Sequence, residues 1–196
     1  MLPFDKLKDA IPKSVLDRGL ATLGTEFKPL KLLFEQRRVP KEGWRDSQIE
    51  LLLRLLSSMD SDKDSKAAGV GEREGRVASE AVSRLAGGFH HGVGRSGDLT
   101  RAQPKAAGGS LMYFFANKLA TDALKRFGAS NIEGAVVFPV ATGMTLALAL
   151  CAAKSQTGGC EVVYPQIDLS TPIKAIHLAG LRERIVEGQT VNYATV

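Results

Sequence analysis

The sequence predicts an α/β domain with a parallel sheet that follows an N-terminal helical extension. Three short segments of strand-like composition recur in the second half of the chain, at 135–141, 161–164 and 184–187. Segments with helical patterning separate them, and this alternation of strands and helices is typical of parallel sheets. Earlier in the chain the patterning is helical, so we divide the sequence into an extension at 1–60 and a domain at 61–196.

The extension is predicted to contain three helices. Apolar residues recur at helical spacing over 14–39, and Gly24 and Pro29 are expected to divide that stretch into two helices. A third helix follows, because Ser47 and Glu50 match the capping-box pattern ahead of an apolar stripe. That stripe consists of Ile49, Leu52, Leu53, Leu56 and Met59.

Small polar residues at 57–68 indicate a connector into the domain. The helices predicted beyond it occupy 77–85, 110–127, 142–154 and 172–179. Three short strands would leave a parallel sheet with an open apolar edge and few helices to cover it. We therefore expect the chain to be truncated, so that the sheet of its domain is incomplete.

Composition places the chain among globular proteins, since 44% of its residues are hydrophobic and 24% are charged. Its two cysteines, Cys151 and Cys160, form no C-x-x-C motif, which argues against a disulfide framework and favours a reducing compartment. The N-terminus lacks the apolar core of a signal peptide. The longest apolar run, at 144–153, is too short to cross a bilayer, which takes roughly 20 residues. We expect a soluble, cytoplasmic protein without a membrane partner.

Positive charge is concentrated at the N-terminus. The formal net charge of the chain is +5, and residues 1–45 carry ten Lys or Arg against six Asp or Glu. A basic segment of this kind is compatible with a phosphate-backbone partner. The plainer interpretation is a solvated helical surface, which charge alone favours.

Two glycine-rich loops carry residues that could bind an anion. In the first, at 69–76, glycines let backbone N–H groups approach an anion closely, and Arg73 and Arg76 can donate paired hydrogen bonds to a phosphate. A helix is predicted just after this loop, and its N-terminal dipole would favour negative charge nearby. The alternative is a loop with solvated surface arginines, and the residue types alone do not separate the two.

The second loop contains a literal G-x-G-x-x-G at Gly92, Gly94 and Gly97. A dinucleotide-binding interpretation fails, because no strand precedes the motif and no helix opens from it. What remains is a short cluster of donors that could form an anion cradle. Those donors are Arg95, Ser96, Gln103 and Lys105. The adjacent His90 and His91 point in different directions and have no further Cys/His cluster to join, so we expect no metal site.

A third candidate is the turn at 141–144, where Thr142 and Gly143 join a predicted strand to a predicted helix. In open α/β sheets, ligands bind beyond the carboxyl ends of the strands, and helix N-termini hold phosphate groups there. Without further context, the turn is an ordinary connection between a strand and a helix.

Together these motifs resemble the O-phosphoseryl-tRNA(Sec) selenium transferase family of eukaryotes and archaea. The resemblance runs from about Gly43, through Asp60, to about Gly180, whereas the first 40 residues match poorly. The motifs that carry it are long, uncommon and in the family's order. They occupy 69–79, 94–98, 103–108 and 141–144.

The resemblance implies a fold-type I pyridoxal-phosphate-dependent transferase, aminotransferase-like, of which 61–196 would be the first part of the large domain. It also implies a homotetramer with pyridoxal 5′-phosphate as the cofactor. Arg73 matches the family's cofactor-contacting arginine. The turn beneath the cofactor is matched by Thr142, Gly143 and Met144. The family's grip on the substrate phosphate is matched by Arg95, Ser96 and Gln103.

The family's reaction eliminates phosphate from O-phosphoseryl-tRNA(Sec) and adds selenium from selenophosphate, giving selenocysteinyl-tRNA(Sec). The implied partners are therefore tRNA(Sec) carrying phosphoserine, and selenophosphate. A phosphoserine phosphate carries roughly −1.5 to −2 charge at neutral pH, which suits an arginine flanked by uncharged donors.

The sequence departs from the family's pattern in two places. No lysine lies in a motif that matches the family's cofactor lysine, so we assign no catalytic residue and expect the 196-residue chain alone to be inactive. Leu169 stands where the family has a glutamine, so that contact is not carried over. Two alternatives remain. One is a non-catalytic tRNA-binding or oligomerisation module. The other is a related pyridoxal-phosphate lyase or desulfurase, against which the phosphate-gripping set argues.

Overall fold

The computed structural model describes residues 3–61, 77–165 and 169–187. The chain divides into two compact units, Met1–Val137 and Phe138–Val196, which we call the helical unit and the sheet unit. The division predicted at residue 60 stays a prediction. In chain order, the elements are a 3₁₀-helix Phe4–Leu7, α1 Lys13–Gln36, α2 Asp46–Ser57, α3 Glu80–Leu85, α4 Ala107–Arg126, α5 Thr142–Thr157, β1 Glu161–Pro165, α6 Ser170–Leu178 and β2 Arg182–Val186.

The first long helix, α1, is continuous, so the prediction of two helices divided at Gly24 and Pro29 is wrong. Pro29 lies inside the helix, where it removes one backbone donor. The residues that follow are buried, with Leu30 and Leu33 only 2% and 4% exposed. Burial of this face within the helical unit therefore outweighs the local preference of proline for a helix end.

Helix α1 ends at Arg37, a left-handed residue with φ 53° whose N–H donates to the Leu33 carbonyl. The chain beyond it is fastened to α4. Asp122 accepts a hydrogen bond from the Val39 N–H at 2.9 Å, and Arg126 donates to the Val39 carbonyl at 2.9 Å. A 2.8 Å ion pair joins these two α4 side chains to each other.

Helix α2 begins after Arg45, whose N–H donates to the side-chain oxygen of Gln48 at 3.0 Å. The capping pair predicted at Ser47 and Glu50 is wrong, because the helix starts before the position that this pair requires. The apolar stripe predicted for this helix is buried at Leu56 but exposed at both of its ends.

Helices α2 and α4 cross at very short distance. A Cβ atom on Gly108 would lie 1.6 Å from the carbonyl oxygen of Leu56, so the crossing admits only glycine there. Helix α1 also contacts α4, through Phe34 stacked on Phe115 with ring centroids 5.4 Å apart. Helix α4 is thus the element against which both earlier helices pack.

The segment predicted as the first strand, 135–141, is not a strand in the structure. Its backbone pairs instead with side chains spaced four residues apart along α4. The Tyr113 hydroxyl donates to the Val137 carbonyl at 2.8 Å, and the Asn117 side chain accepts from the Val137 N–H at 2.8 Å. The Thr121 hydroxyl oxygen accepts from the N–H of residue 135 at 2.9 Å. The prediction failed because α4 supplies partners that a neighbouring strand would otherwise supply.

In the sheet unit, β1 and β2 pair in parallel, with α6 as the connection between them. Val163 is in register with Arg184. The parallel pairing confirms the predicted α/β class for the two strands that the described residues form. A small apolar core joins the strands to α6, and it consists of Tyr164, Ile176, Ala179 and Leu181.

Helix α5 packs on α6 in the same unit. Lys154, near the end of α5, donates to the Ala179 and Gly180 carbonyls at 3.3 and 2.9 Å. The helices predicted beyond residue 76 are confirmed, with ends shifted by at most three residues. None of the described helices is long and apolar enough to cross a membrane.

Replacing Gly108 with alanine should destabilise the protein, because the added methyl group overlaps the Leu56 carbonyl and forces α2 and α4 apart. We expect the free energy of unfolding to fall by about 1–3 kcal/mol. Urea denaturation of the complete gene product, followed by circular dichroism, measures this.

Gly24→Ala is the matched control, because nothing lies within 4 Å of a Cβ at that helical position. Alanine there should stabilise the protein by about 0.5–1 kcal/mol. Equal effects from the two substitutions would contradict the close crossing.

Candidate functional site

The first glycine-rich loop, 69–76, lies outside the described residues, so the contact predicted for Arg73 stays a prediction. The second loop is described throughout and follows the short helix α3. Ser79 caps that helix by accepting a hydrogen bond from the Val82 N–H at 3.4 Å.

Arg95 and Ser96 lie in a two-residue hairpin. The Arg95 N–H donates to the Asp98 carbonyl at 2.9 Å, and the Asp98 N–H donates back to the Arg95 carbonyl at 3.0 Å. Both central residues are left-handed, Ser96 at φ 53° and Gly97 at φ 84°, which defines a type I′ turn. Arg95 and Ser96 are both exposed. The turn therefore offers a guanidinium and a hydroxyl from adjacent positions.

Ser96 adopts a conformation that costs a non-glycine residue about 1 kcal/mol or more. The position is occupied by serine although glycine would relieve that cost. Residues held in sparsely populated conformations cluster at functional sites. The hydroxyl of Ser96 is thus a candidate for a role that glycine could not fill.

Two contacts stiffen this turn. A Cβ atom on Gly94, which has φ 77°, would lie 2.4 Å from the Asp98 carbonyl oxygen, so the loop folds back closely on itself. The Asp98 carboxylate accepts from both the hydroxyl and the N–H of Thr100, each at 2.8 Å. The hydrogen bond from the Thr100 hydroxyl has the larger effect and that from the Thr100 N–H the smaller. Together they hold the pKa of Asp98 below its ordinary value.

Gln103 lies at the turn that leads into α4. Its N–H donates to the Ser110 hydroxyl oxygen at 2.9 Å, and its carbonyl accepts from the Ala106 N–H at 3.0 Å. Its side-chain oxygen accepts from the Lys105 N–H at 3.3 Å. Because the oxygen end of the amide accepts this hydrogen bond, the NH₂ end is the one that could donate to a ligand. An NH₂ group donates to a phosphate oxygen, which a carbonyl oxygen cannot do.

Asp60 is a residue of this site that sequence reasoning missed, and it is only 2% exposed. One carboxylate oxygen accepts from the Gly109 N–H at 3.0 Å, in the first turn of α4. The other is buried and has no hydrogen-bond partner within the described part of the chain. Asp60 also pairs with Ala106 in an isolated antiparallel bridge. The sequence signal is weak, since an aspartate beyond a helix usually faces solvent.

The histidine pair of the second loop packs near α3. The Ser83 hydroxyl lies 2.8 Å from Nε2 of His90. Within 3–61, 77–165 and 169–187, no group of three or more His, Cys, Asp or Glu side chains is placed to hold a metal ion.

In the sheet unit, Thr142, Gly143 and Met144 form the first turn of α5, a helix of 16 residues. Ala141 precedes the helix, and no side chain caps its N-terminus. The N–H groups of the first turn and the helix dipole therefore favour an anion at this end. A Cβ on Gly143 would lie 3.2 Å from the Thr171 side chain, so the turn is closely packed. These features fit a phosphate group, and the cofactor contacts predicted here stay predictions.

The structure places Arg95, Ser96 and Gln103 in the helical unit and the turn at 142–144 in the sheet unit. Leu169 immediately precedes α6 and is 53% exposed. Its side chain offers no hydrogen bond at the position where the resemblance implies a glutamine.

A basic groove of about 550 Å³ lies between the end of α1 and the start of α2. Its lining includes three cationic side chains, Lys28, Arg38 and Lys41, together with Trp44 and one carboxylate, Glu42. Cationic side chains bind nucleic-acid phosphates, and aromatic rings stack on bases. The groove is thus a candidate surface for RNA.

Comparison with known proteins places these residues in a family context. The family model for O-phosphoseryl-tRNA(Sec) selenium transferase, SepSecS, matches residues 59–194. A relative of that name from Methanopyrus kandleri is 48% identical over 92% of this chain and 41% of its own length. One from Dictyostelium discoideum is 39% identical over 95% of this chain and 40% of its own.

A solved structure agrees with these sequence matches. The crystal structure of an archaeal O-phosphoseryl-tRNA(Sec) selenium transferase is similar with a TM-score of 0.83 and 40% identity. The match covers 90% of this chain and 40% of that one. The chain thus spans about two fifths of the length of the curated relatives it matches.

Titration of Asp98 should show a pKa below the ordinary aspartate value of about 3.9. At pH values above the ordinary aspartate pKa, the ionised Asp98 carboxylate accepts both Thr100 hydrogen bonds and stabilises the turn. That stabilisation is lost as the pH falls through the depressed pKa. Carbon-detected NMR of the side-chain carboxyl measures the value. Thr100→Val should raise it, because the hydroxyl is the largest cause.

Thr100→Ser keeps the hydroxyl and is the matched control, so its Asp98 should titrate as in the unaltered protein. If Thr100→Val leaves the titration unchanged, the hydroxyl does not brace the turn.

Proposed function

This chain belongs to the O-phosphoseryl-tRNA(Sec) selenium transferase family, and we propose that it forms part of an enzyme that converts O-phosphoseryl-tRNA(Sec) to selenocysteinyl-tRNA(Sec). The observation that carries the proposal is the family match over 59–194, which contains the hairpin at Arg95 and the Gln103 turn. Selenophosphate would supply the selenium, and the enzyme would work as a cytoplasmic homotetramer.

The donors of the second loop suit the phosphate of phosphoserine. Arg95 offers a permanent positive charge and paired N–H donors, and Ser96 adds a hydroxyl from the adjacent position. Gln103 adds an NH₂ group whose orientation is set by the Lys105 N–H. In the proposed reaction the bond from the seryl Cβ to the phosphate oxygen breaks, and the electron pair leaves with the phosphate. Donors that hold the departing oxygens stabilise the charge that develops on them.

The first turn of α5 would hold the phosphate of pyridoxal 5′-phosphate. The fit rests on the uncapped N–H groups of Thr142, Gly143 and Met144 at the positive end of the helix. Arg73 is proposed as a further contact to the cofactor. When bound, the cofactor supplies an electron sink for the carbon that loses its α-proton.

The basic groove, together with Arg37 next to its lining residue Arg38, is proposed as a contact for the phosphate backbone of tRNA(Sec). Arg37 follows α1 with its guanidinium 5.7 Å from the ring centroid of Phe114, and Arg38 and Lys41 follow it along the chain. The hydrogen bonds at Val39 fasten this stretch to α4. The charges are therefore presented on an ordered segment.

Arg95→Ala in the complete gene product should lower turnover of phosphoseryl-tRNA. It removes a charge-assisted hydrogen bond to phosphate, worth about 1.5–3 kcal/mol, or about 10- to 150-fold in rate. The absorbance of the bound cofactor should persist, because Arg95 is not proposed to touch it. Single-turnover kinetics on phosphoseryl-tRNA measure the loss.

Arg101→Ala is the matched control, since Arg101 is an exposed arginine of the same loop with no proposed contact. It should keep full turnover. Unchanged turnover in Arg95→Ala would show that Arg95 is a surface residue and remove it from the phosphate grip.

Replacing Arg37, Arg38 and Lys41 together by alanine should weaken tRNA binding in a salt-dependent way. Each phosphate contact steepens the slope of log K against log salt by about 0.9, so the slope should flatten by about two to three. Filter binding of tRNA(Sec) over a salt series measures it.

The matched control replaces Lys6, Lys8 and Lys13, three basic residues of the same extension that lie before or at the start of α1. Their loss changes the net charge equally and should leave the slope nearly unaltered. If both triple variants flatten the slope alike, the basic residues act only through the net charge of the protein and not through direct contacts with tRNA phosphates. If the slope is unchanged and the oligomer dissociates, the segment is an assembly element.

A further inference from the structure

Lys105 connects the Asp60 region with the Gln103 amide. Its carbonyl accepts from the Ser61 N–H at 2.9 Å and from the Ser61 hydroxyl at 3.1 Å. Its own N–H donates to the Gln103 side-chain oxygen at 3.3 Å. Only the φ and ψ rotations of Lys105 separate these groups, because the peptide units on either side are planar. Holding the carbonyl therefore restricts the direction in which the N–H points.

Asp60 provides a second attachment to this part of the chain, at the first turn of α4. Its carboxylate accepts from the Gly109 N–H at 3.0 Å, four residues beyond Lys105. Gly108 lies between these two attachments and presses against the Leu56 carbonyl. The first turn of α4, and Lys105 just before it, are thus held by Leu56 of α2 and by the residues 60 and 61 that follow α2.

Ser110 completes the path to Gln103 within α4. Its hydroxyl accepts from the Gln103 N–H at 2.9 Å and donates to the Ala106 carbonyl at 2.8 Å. The backbone of Gln103 is therefore set by the first turn of α4, and its side-chain amide by Lys105. Both depend on where the α2 end holds that turn.

We propose that Asp60, with Ser61 beside it, is a positioning element for the Gln103 amide. The two residues touch no ligand themselves. They fix the start of α4 so that the amide presents its NH₂ group, and not its oxygen, to the phosphate of the substrate. The inference rests on the proposed function, because it takes Gln103 as a phosphate donor.

Burial supports a role for Asp60 beyond an ordinary helix cap. A solvated aspartate or serine caps a helix without loss of carboxylate hydration. Asp60 instead is 2% exposed and leaves one carboxylate oxygen without a partner within the described residues. An arrangement that leaves a buried carboxylate oxygen unpaired is unfavourable by itself. A buried aspartate next to the Gln103 turn is explained if its hydrogen bond to the Gly109 N–H is needed to fix the position of the start of α4.

The test is a double-mutant cycle between Asp60 and Gln103, with inorganic phosphate as the probe. Calorimetric titration would use the complete gene product saturated with pyridoxal phosphate. Gln103→Ala should weaken phosphate binding by about tenfold, the loss of one hydrogen bond to a charged group. Asp60→Ala should weaken it by a similar factor. The double variant should also be weakened by about tenfold and not a hundredfold, because both changes remove the same contact.

Two further variants make the cycle specific. Asp60→Asn should bind phosphate within about threefold of the unaltered protein, because the amide oxygen can still accept from the Gly109 N–H. Asp122→Ala is the matched control: this carboxylate also accepts a backbone N–H from a distant part of the chain, that of Val39, but it lies near the opposite end of α4. It should leave the phosphate affinity unchanged.

The proposal is overturned if Asp60→Ala keeps the phosphate affinity and only lowers the melting temperature, or if the double variant loses about a hundredfold. Should Asp60→Ala not fold, Ser61→Ala replaces it in the cycle, since Ser61 is exposed and loses only one hydrogen bond to Lys105. It should weaken binding by about threefold, without adding to the effect of Gln103→Ala, and unchanged binding would overturn the proposal.

Gln103→Ala separates the inference from the function on which it rests. If this variant alone keeps full phosphate affinity, the phosphate role of Gln103 fails and the positioning role fails with it. If Gln103→Ala weakens binding and the Asp60 and Ser61 variants do not, the phosphate role stands and only the positioning role is lost.

Discussion

The close crossing of α2 and α4 at Gly108 is the constraint on which the helical unit depends. The Leu56 carbonyl occupies the space where any side chain at residue 108 would lie. This contact brings the end of α2 against the first turn of α4, so that the buried Asp60 reaches the Gly109 N–H. Beside the crossing, the Ser61 N–H and hydroxyl hold the Lys105 carbonyl, so the turn that carries Gln103 is supported from outside its own segment.

Helix α4 serves as a platform because each part of it holds a different segment. Its N-terminal turn carries Gln103, through the Ser110 hydroxyl. Its middle face satisfies the backbone at 135–137, and its last turn holds Val39 through Asp122. The helix thereby places a candidate phosphate donor at one end and fastens a candidate RNA-binding segment at the other. The two proposed substrate contacts of the helical unit thus depend on one rigid element.

Sequence reasoning succeeded where the chemistry is local. The helices predicted beyond residue 76 and the parallel strand pair follow from local periodicity, and the structure contains them. It failed where distant residues supply the partners. Pro29 is tolerated inside α1 because the residues after it are buried. The segment at 135–141 is apolar enough for a strand, yet α4 side chains take its backbone hydrogen bonds.

By itself, the sequence determined most of the helices, the two strands that the described residues form, the glycine-rich loops and the residue types that can bind phosphate, because these follow from local periodicity and side-chain chemistry. It also determined the family, through the order and spacing of uncommon motifs. Only the tertiary structure decided that the end of α2 meets the start of α4 at Gly108 and that Asp60 is buried there. Both depend on contacts between residues about fifty positions apart in the chain, and no local pattern records which backbone groups such contacts will pair.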